Sequence, residues 1–142
     1  MSGKRKEVRQ NGFNKRERIV SQKLIDRLFS KSGSHSVVAA FPVRAVYNIN
    51  ARAREDDPAV VLLVSVPKRQ FHHAVDRNRV KRQLREAFRL NKQLIADAVP
   101  ADRQMALALV WLTDRHLSSA EVNQRLVNIM KRIASHLPNT NY

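Results

Sequence analysis

The sequence predicts an α+β fold, a single twisted sheet of roughly four mostly antiparallel strands with helices packed on it. Three observations carry this. From Ser36 to about Ile49 the chain alternates with period two, placing Phe41, Val43, Ala45 and Tyr47 on one face and Pro42, Arg44 and Val46 on the other, the pattern of a half-buried strand. Ala59–Val66 (AVVLLVSV) and Met105–Leu112 (MALALVWL) are continuous apolar runs, as in strands covered on both faces. Helical spacing fills the intervals, so a strand, helix, strand unit stands at the centre.

Taken in order, Met1 to about Arg16 is polar and basic, with Lys4, Arg5, Lys6, Arg9, Lys15 and Arg16. It lacks apolar periodicity and reads as a flexible arm, suited equally to solubility or to RNA contact. One domain is expected over residues 17–137, with a polar tail at 138–142. Ser21 suits an N-cap, Leu24, Ile25, Leu28 and Phe29 follow at helical spacing, and Gly33 marks the stop. This first helix is expected to pack on the sheet.

Pro42 cannot donate to a ladder, so it fits an edge position or a bulge. Ala51 to Pro58 reads as a loop, with Asp56 and Asp57 as turn residues rather than a catalytic carboxylate pair. Ala59–Val66 is expected as a central strand, ended by Pro67. A helix then runs from Asp76 to about Ala98 and is broken by Val99-Pro100-Ala101-Asp102. Trp111, inside the last apolar run, reads as core rather than as a ligand platform. Ser118 or Ser119 caps a final helix. Glu121 in its first turn suits the dipole, and Val122, Leu126, Ile129, Met130 and Ile133 form its apolar stripe.

Charge narrows the function. The 142 residues hold 27 Lys and Arg against 12 Asp and Glu, a formal net charge of +15. Such an excess suits a polyanionic partner: RNA, DNA or an anionic membrane surface. No run of about 18 apolar residues is available to span a bilayer, and the N-terminus lacks a secretory pattern. With no cysteine, disulfides, a thiolate nucleophile and Cys-ligated zinc are excluded. Three glycines are too few for a phosphate-cradling loop. A soluble cytoplasmic protein is expected.

The cations concentrate in Asp76–Arg89 (DRNRVKRQLREAFR). At about 100° per residue, Val80, Leu84, Ala87, Phe88, Leu94 and Ile95 share one arc. Lys81, Arg82, Arg85, Arg89 and Lys92 fall opposite, with Asn78 among them. Solvated helix faces normally mix signs, yet Glu86 is the only acid between Arg77 and Lys92. An apolar stripe against a core and a cationic stripe outward let a helix lie on a nucleic acid. Asn78 can cap the helix N-terminus, accept from an RNA 2′-hydroxyl, or both.

Catalytic groups are scarce. His72 and His73 are adjacent, so their side chains diverge and do not make the i, i+4 face of a helical zinc site. His35, His116 and His136 are isolated in sequence with no recognisable partner. No nucleophile–base arrangement can be argued from spacing, and no metal-ligand set is expected.

Arg77-Asn78-Arg79-Val80-Lys81-Arg82, followed by Arg85-Glu86-Ala87-Phe88-Arg89, closely resembles the RNR signature of the protein subunit of bacterial ribonuclease P. Val64-Ser65-Val66-Pro67-Lys68-Arg69 and Ala74-Val75 resemble the segments that precede it, and Leu28-Phe29 with Gly33 the end of the family's first helix. The resemblance spans about Arg18 to Leu137. It departs from the family where His72-His73 replaces the usual Gly-Asn, in a segment one residue longer, and where Ile25 replaces a frequent aromatic.

The resemblance implies an α+β sandwich with a left-handed βαβ crossover, against the usual hand. It implies a holoenzyme that removes the 5′ leader of precursor tRNA, an endoribonuclease whose RNA subunit carries the catalysis. Magnesium would be bound mainly by that RNA, and the protein would add no catalytic residue of its own. Arg77, Asn78, Arg79, Lys81, Arg82, Arg85 and Arg89 would hold the catalytic RNA. Phe29, Phe41, Tyr47, Lys68 and Arg69 are the candidates for leader contact, since aromatic faces stack bases and cations follow the backbone. The partners would be the catalytic RNA and precursor tRNA, in a 1:1 complex with a protein monomer and without a membrane. A general RNA-binding module and a metal-dependent nuclease acting alone remain the alternatives, with a DNA-binding helix weaker for want of helix-turn-helix spacing.

Overall fold

A computed structural model describes residues 36–137 apart from 53 and 55. The expected basic arm, the expected first helix with Phe29, and the polar tail lie outside the described residues. Strands β1 (Ser36–Ala40), β2 (Val43–Ala51) and β3 (Val60–Ser65) come first. Helix α1 (Ala74–Asn91), short helix α2 (Gln93–Ala96), strand β4 (Arg103–Trp111) and helix α3 (Ser119–His136) follow. The strands form one sheet in the order β1-β2-β4-β3. β1–β2 and β2–β4 are antiparallel, and β3–β4 is parallel. The fold is α+β with a mostly antiparallel sheet, and β3, α1 and β4 make the central βαβ unit.

Three expectations are corrected. The single strand from Ser36 to Ile49 is a hairpin, β1 and β2, joined at a cis Phe41–Pro42 peptide bond. Pro42 stands at the turn position where a cis proline reverses the chain, so Phe41 leaves the strand alternation and is 67% exposed. Ala59–Val66 does hold a strand, but β3 lies at an edge of the described sheet, with β4 inside. Its apolar run reports burial of both faces: Val60, Leu62 and Val64 enter one cluster, and Val61 another. It says nothing about hydrogen-bonding neighbours. The long basic helix also stops early, at Asn91, whose side-chain amide donates to Ala87 O at 2.8 Å and to Asn123 Oδ1 at 2.7 Å. Leu94, at the margin of the apolar arc, is 38% exposed, while Ile95, inside it, stays buried.

The main core lies between one sheet face and helices α1 and α3. Val43, Ala45 and Tyr47 of β2 and Met105, Leu107 and Leu109 of β4 meet Val80, Leu84 and Phe88 of α1 and Leu126, Ile129 and Ile133 of α3. Trp111 is fully buried there, as expected of a core residue. On the other face Val46, Val61, Ala106 and Ala108 form a second buried cluster. Asp57 closes a turn by accepting from Arg54 N–H at 3.0 Å, consistent with its reading as a turn residue.

Candidate nucleic-acid interface

Helix α1 begins at Ala74, with His73 as an extended N-cap residue that makes no side-chain cap bond. Asn78 therefore sits beyond the first turn, so the cap reading of this residue fails; it is an exposed residue of the helix surface. Val80, Leu84, Ala87 and Phe88 anchor the helix to the core, and the opposite side stays outward. Arg79 and Arg82 are exposed and Lys81 is half-buried. None of these three side chains makes a hydrogen bond or ion pair with another described residue. Their charge is available to an external anion, and each such contact would release counterions from a nucleic acid.

Arg77, Arg85 and Arg89 of the same stretch are engaged within the molecule. Arg77 turns back to the loop before the helix, where its Nη1 donates to Phe71 O at 2.8 Å and to His72 O at 3.1 Å. Arg89 pairs with Glu86, its Nε donating to Oε1 at 3.1 Å and its Nη2 to Oε2. That bond holds the Glu86 carboxyl below the usual carboxylate range and raises Arg89 above its ordinary value. Arg89 is thus a weaker candidate for phosphate than Arg79 or Arg82. Arg85 is half-buried beside them.

The second group of candidates divides. Val43 pairs with Trp111 and Ser65 with Val110, so the Phe41 turn and the segment after β3 share one end of the sheet. Phe41, Lys68 and Arg69 are exposed at that end, together with the N-terminus of α1. Tyr47 is not with them: it is 5% exposed and packs in the helix-covered core. A ring enclosed there offers no face for a base; the period-two reading puts Phe41 and Tyr47 on one face of a single strand, whereas the turn at Pro42 separates them. His116, which has no partner in sequence, has one in space: its Nε2 lies 3.1 Å from Asp76 Oδ1 and its ring stacks on Phe71. No local signal could have found a contact spanning 40 residues.

Among the described residues no three His, Cys, Asp or Glu side chains come together as a metal-ligand set. No helix of the described residues is long and apolar enough to cross a membrane.

The Ribonuclease P family model matches residues 13–134. The ribonuclease P protein component of Porphyromonas gingivalis is 34% identical over 131 residues, covering 91% of each chain. That of Chlorobaculum tepidum is 30% identical over 147 residues, covering 94% of this chain and 91% of its own. This chain belongs to the ribonuclease P protein family. The fold agrees: the RNase P protein of Thermotoga maritima superposes with a TM-score of 0.61 at 20% identity, covering 82% of this chain and 96% of that one. The RNase P protein of Staphylococcus aureus does so with 0.62 at 20% identity, covering 86% and 98%. The signature resemblance at Arg77–Arg82 thus sits within a match that covers most of the chain.

Proposed function

We propose that this chain is the cytoplasmic protein subunit that assists the catalytic RNA of ribonuclease P in endonucleolytic removal of the 5′ leader from precursor tRNA. The observation that carries the reading is the outward face of α1, where Arg79, Lys81 and Arg82 point away from the core and have no described ion-pair partner. Asn78 lies among them and can donate to or accept from ribose and phosphate. Arg77 fixes the preceding loop and meets RNA with the guanidinium N–H groups those bonds leave over. Arg85 extends the surface along the helix, and Arg89 adds least because of Glu86.

Leader contact falls to Phe41, Lys68 and Arg69 at the shared end of the sheet. Phe41 offers a stacking face and the two cations follow a single-stranded backbone. Phe29 remains a candidate outside the described residues, and Tyr47 is dropped. Magnesium is held by the RNA, which carries the chemistry. The protein lowers repulsion between the two RNAs through its cation density, so that precursor binds at lower magnesium. One protein monomer per RNA suffices for this role.

Reconstitution tests the proposal. Protein, a bacterial ribonuclease P RNA and labelled precursor tRNA are combined at low magnesium, with each component omitted in turn. Cleavage at the mature 5′ end only with both RNA and protein present is the expected result. Tight RNA binding without stimulated cleavage would identify a general RNA-binding module instead, and cleavage by protein alone would identify a nuclease.

A further inference from the structure

The loop between β4 and α3 ties the N-terminal part of α1 to the core. Trp111, fully buried, donates its indole N–H to Arg115 O at 3.2 Å, which fixes the loop from behind. On the loop's other side the His116 ring stacks on Phe71, with centroids 4.6 Å apart and planes 19° from parallel. His116 Nε2 lies 3.1 Å from Asp76 Oδ1, next to the Arg77-Asn78-Arg79 segment. An ionised carboxylate only accepts, so Nε2 carries the proton and donates. Further along α1, Gln83 Nε2 donates to Leu117 O at 3.0 Å and to Ser119 Oγ at 3.2 Å.

These contacts matter because the helix supplies so little of its own. His73 provides no side-chain cap; its carbonyl accepts from Asp76 N–H at 3.1 Å and Arg77 N–H at 3.3 Å, and no side-chain bond adds to these. Lateral ties add side-chain support at this end. Phe71 is itself doubly engaged, since its carbonyl accepts from Arg77 while its ring lies on His116. One imidazole therefore touches both the carboxylate before the cationic segment and the ring whose backbone orients Arg77.

We infer that His116 is a positioning residue for RNA recognition by α1. It fixes Asp76 and Phe71, and through them the direction of Arg77, Asn78 and Arg79, without itself touching RNA. Preorganised cations lose less ordering entropy on meeting a phosphate array, so affinity depends on the tie. The inference rests on the proposed RNA-binding role of α1.

The test uses the full-length protein and a fluorescent ribonuclease P RNA, with Kd measured at fixed salt under conditions where circular dichroism shows each variant folded. His116→Ala raises Kd about threefold to thirtyfold, the range for coupling through a packed network. His116→Gln, whose amide can still donate to Asp76, recovers most of the affinity. Combined with Arg79→Ala, His116→Ala costs less than the product of the two single effects, because the group being positioned is already gone. Combined with Arg85→Ala, further along the helix, the effects multiply.

If His116→Ala lowers Tm but leaves Kd unchanged, or if its effect multiplies equally with both arginine variants, His116 is a structural tie and the inference is wrong. If Arg79→Ala and Arg85→Ala themselves leave Kd unchanged, the RNA-binding reading of α1 fails, and the positioning role with it. The two failures are thus distinguished by the arginine variants alone.

Discussion

Helices α1 and α3 are each 18 residues long and pack side by side on the same sheet face, yet their cations have different fates. On α3, Arg125 Nε donates to Phe41 O at 2.9 Å and Arg132 Nη1 to Ala39 O at 2.7 Å. Both arginines thereby cover carbonyls of the edge strand β1 and its turn, a place where unpaired backbone would otherwise invite association. On α1, Arg79, Lys81 and Arg82 do nothing of the kind. Cation count therefore does not define a nucleic-acid surface. What defines it is the set of cations left without internal partners by the fold.

The largest expected effect tests what the two helices share. Phe88→Ala removes a fully buried ring from the α1 stripe and should destabilise the fold by about 3–5 kcal/mol, read by urea unfolding. An Ile133→Ala change on α3, where the side chain is equally buried, should cost about 2–5 kcal/mol. A loss under about 1 kcal/mol at either site would mean that the helix does not anchor as its burial implies.

Next comes the contrast itself. Arg79→Ala with Arg82→Ala should weaken RNA binding and reduce the slope of log Kd against log salt by about 1 for each phosphate no longer engaged. Arg125→Ala with Arg132→Ala should leave that slope unchanged. Its effect should appear in unfolding, at about 0.5–1.5 kcal/mol per arginine, because these are exposed charge-to-carbonyl bonds screened by solvent. Equal slopes for both pairs would erase the distinction between the helices.

How much of this is legible in the sequence follows from the range of each interaction. The apolar stripes of α1 and α3 and the strand runs repeat over short windows, so their elements and core residues can be read directly. The cap at Ser118 and the acid at Glu121 are readable for the same reason. The Phe41–Pro42 turn escapes such a reading because alternation continues across it in composition while the backbone reverses. The edge position of β3 escapes it too, since burial of both faces and a central place in a sheet leave the same apolar signature. The pairings that decide the site lie beyond any window: Arg125 meets Phe41 across 84 residues and His116 meets Asp76 across 40. Sequence identifies the cations of α1 and, by its i,i+3 spacing, the Glu86–Arg89 pair; only the fold shows Arg77 turned back to the carbonyls of Phe71 and His72.

The smallest effects separate the helix ends. Helix α3 has a complete capping box: Ser118 Oγ accepts from Glu121 N–H at 3.1 Å, and Glu121 Oε1 accepts from Ser118 N–H at 3.0 Å. The backbone bond from Ser118, with its hydroxyl second, holds the Glu121 carboxyl below its usual range. A depressed carboxyl contributes stability that is present above the unfolded-state value and is lost as pH falls through the folded-state value. Ser118→Ala should cost about 1 kcal/mol at neutral pH through the lost cap and make the acid limb of the stability profile only slightly shallower, because the backbone N–H at position 118 still donates to Glu121. Helix α1 offers the reverse experiment. His73 has the extended backbone of a cap residue, φ −91° and ψ 134°, but makes no side-chain cap bond. His73→Ser should stabilise the protein by about 0.5–1 kcal/mol while leaving the salt slope of RNA binding in place, because no phosphate-facing cation changes. A loss of stability on this substitution would show that the histidine already holds the helix end by another route, and would make the ends of the two helices more alike than their hydrogen bonds indicate.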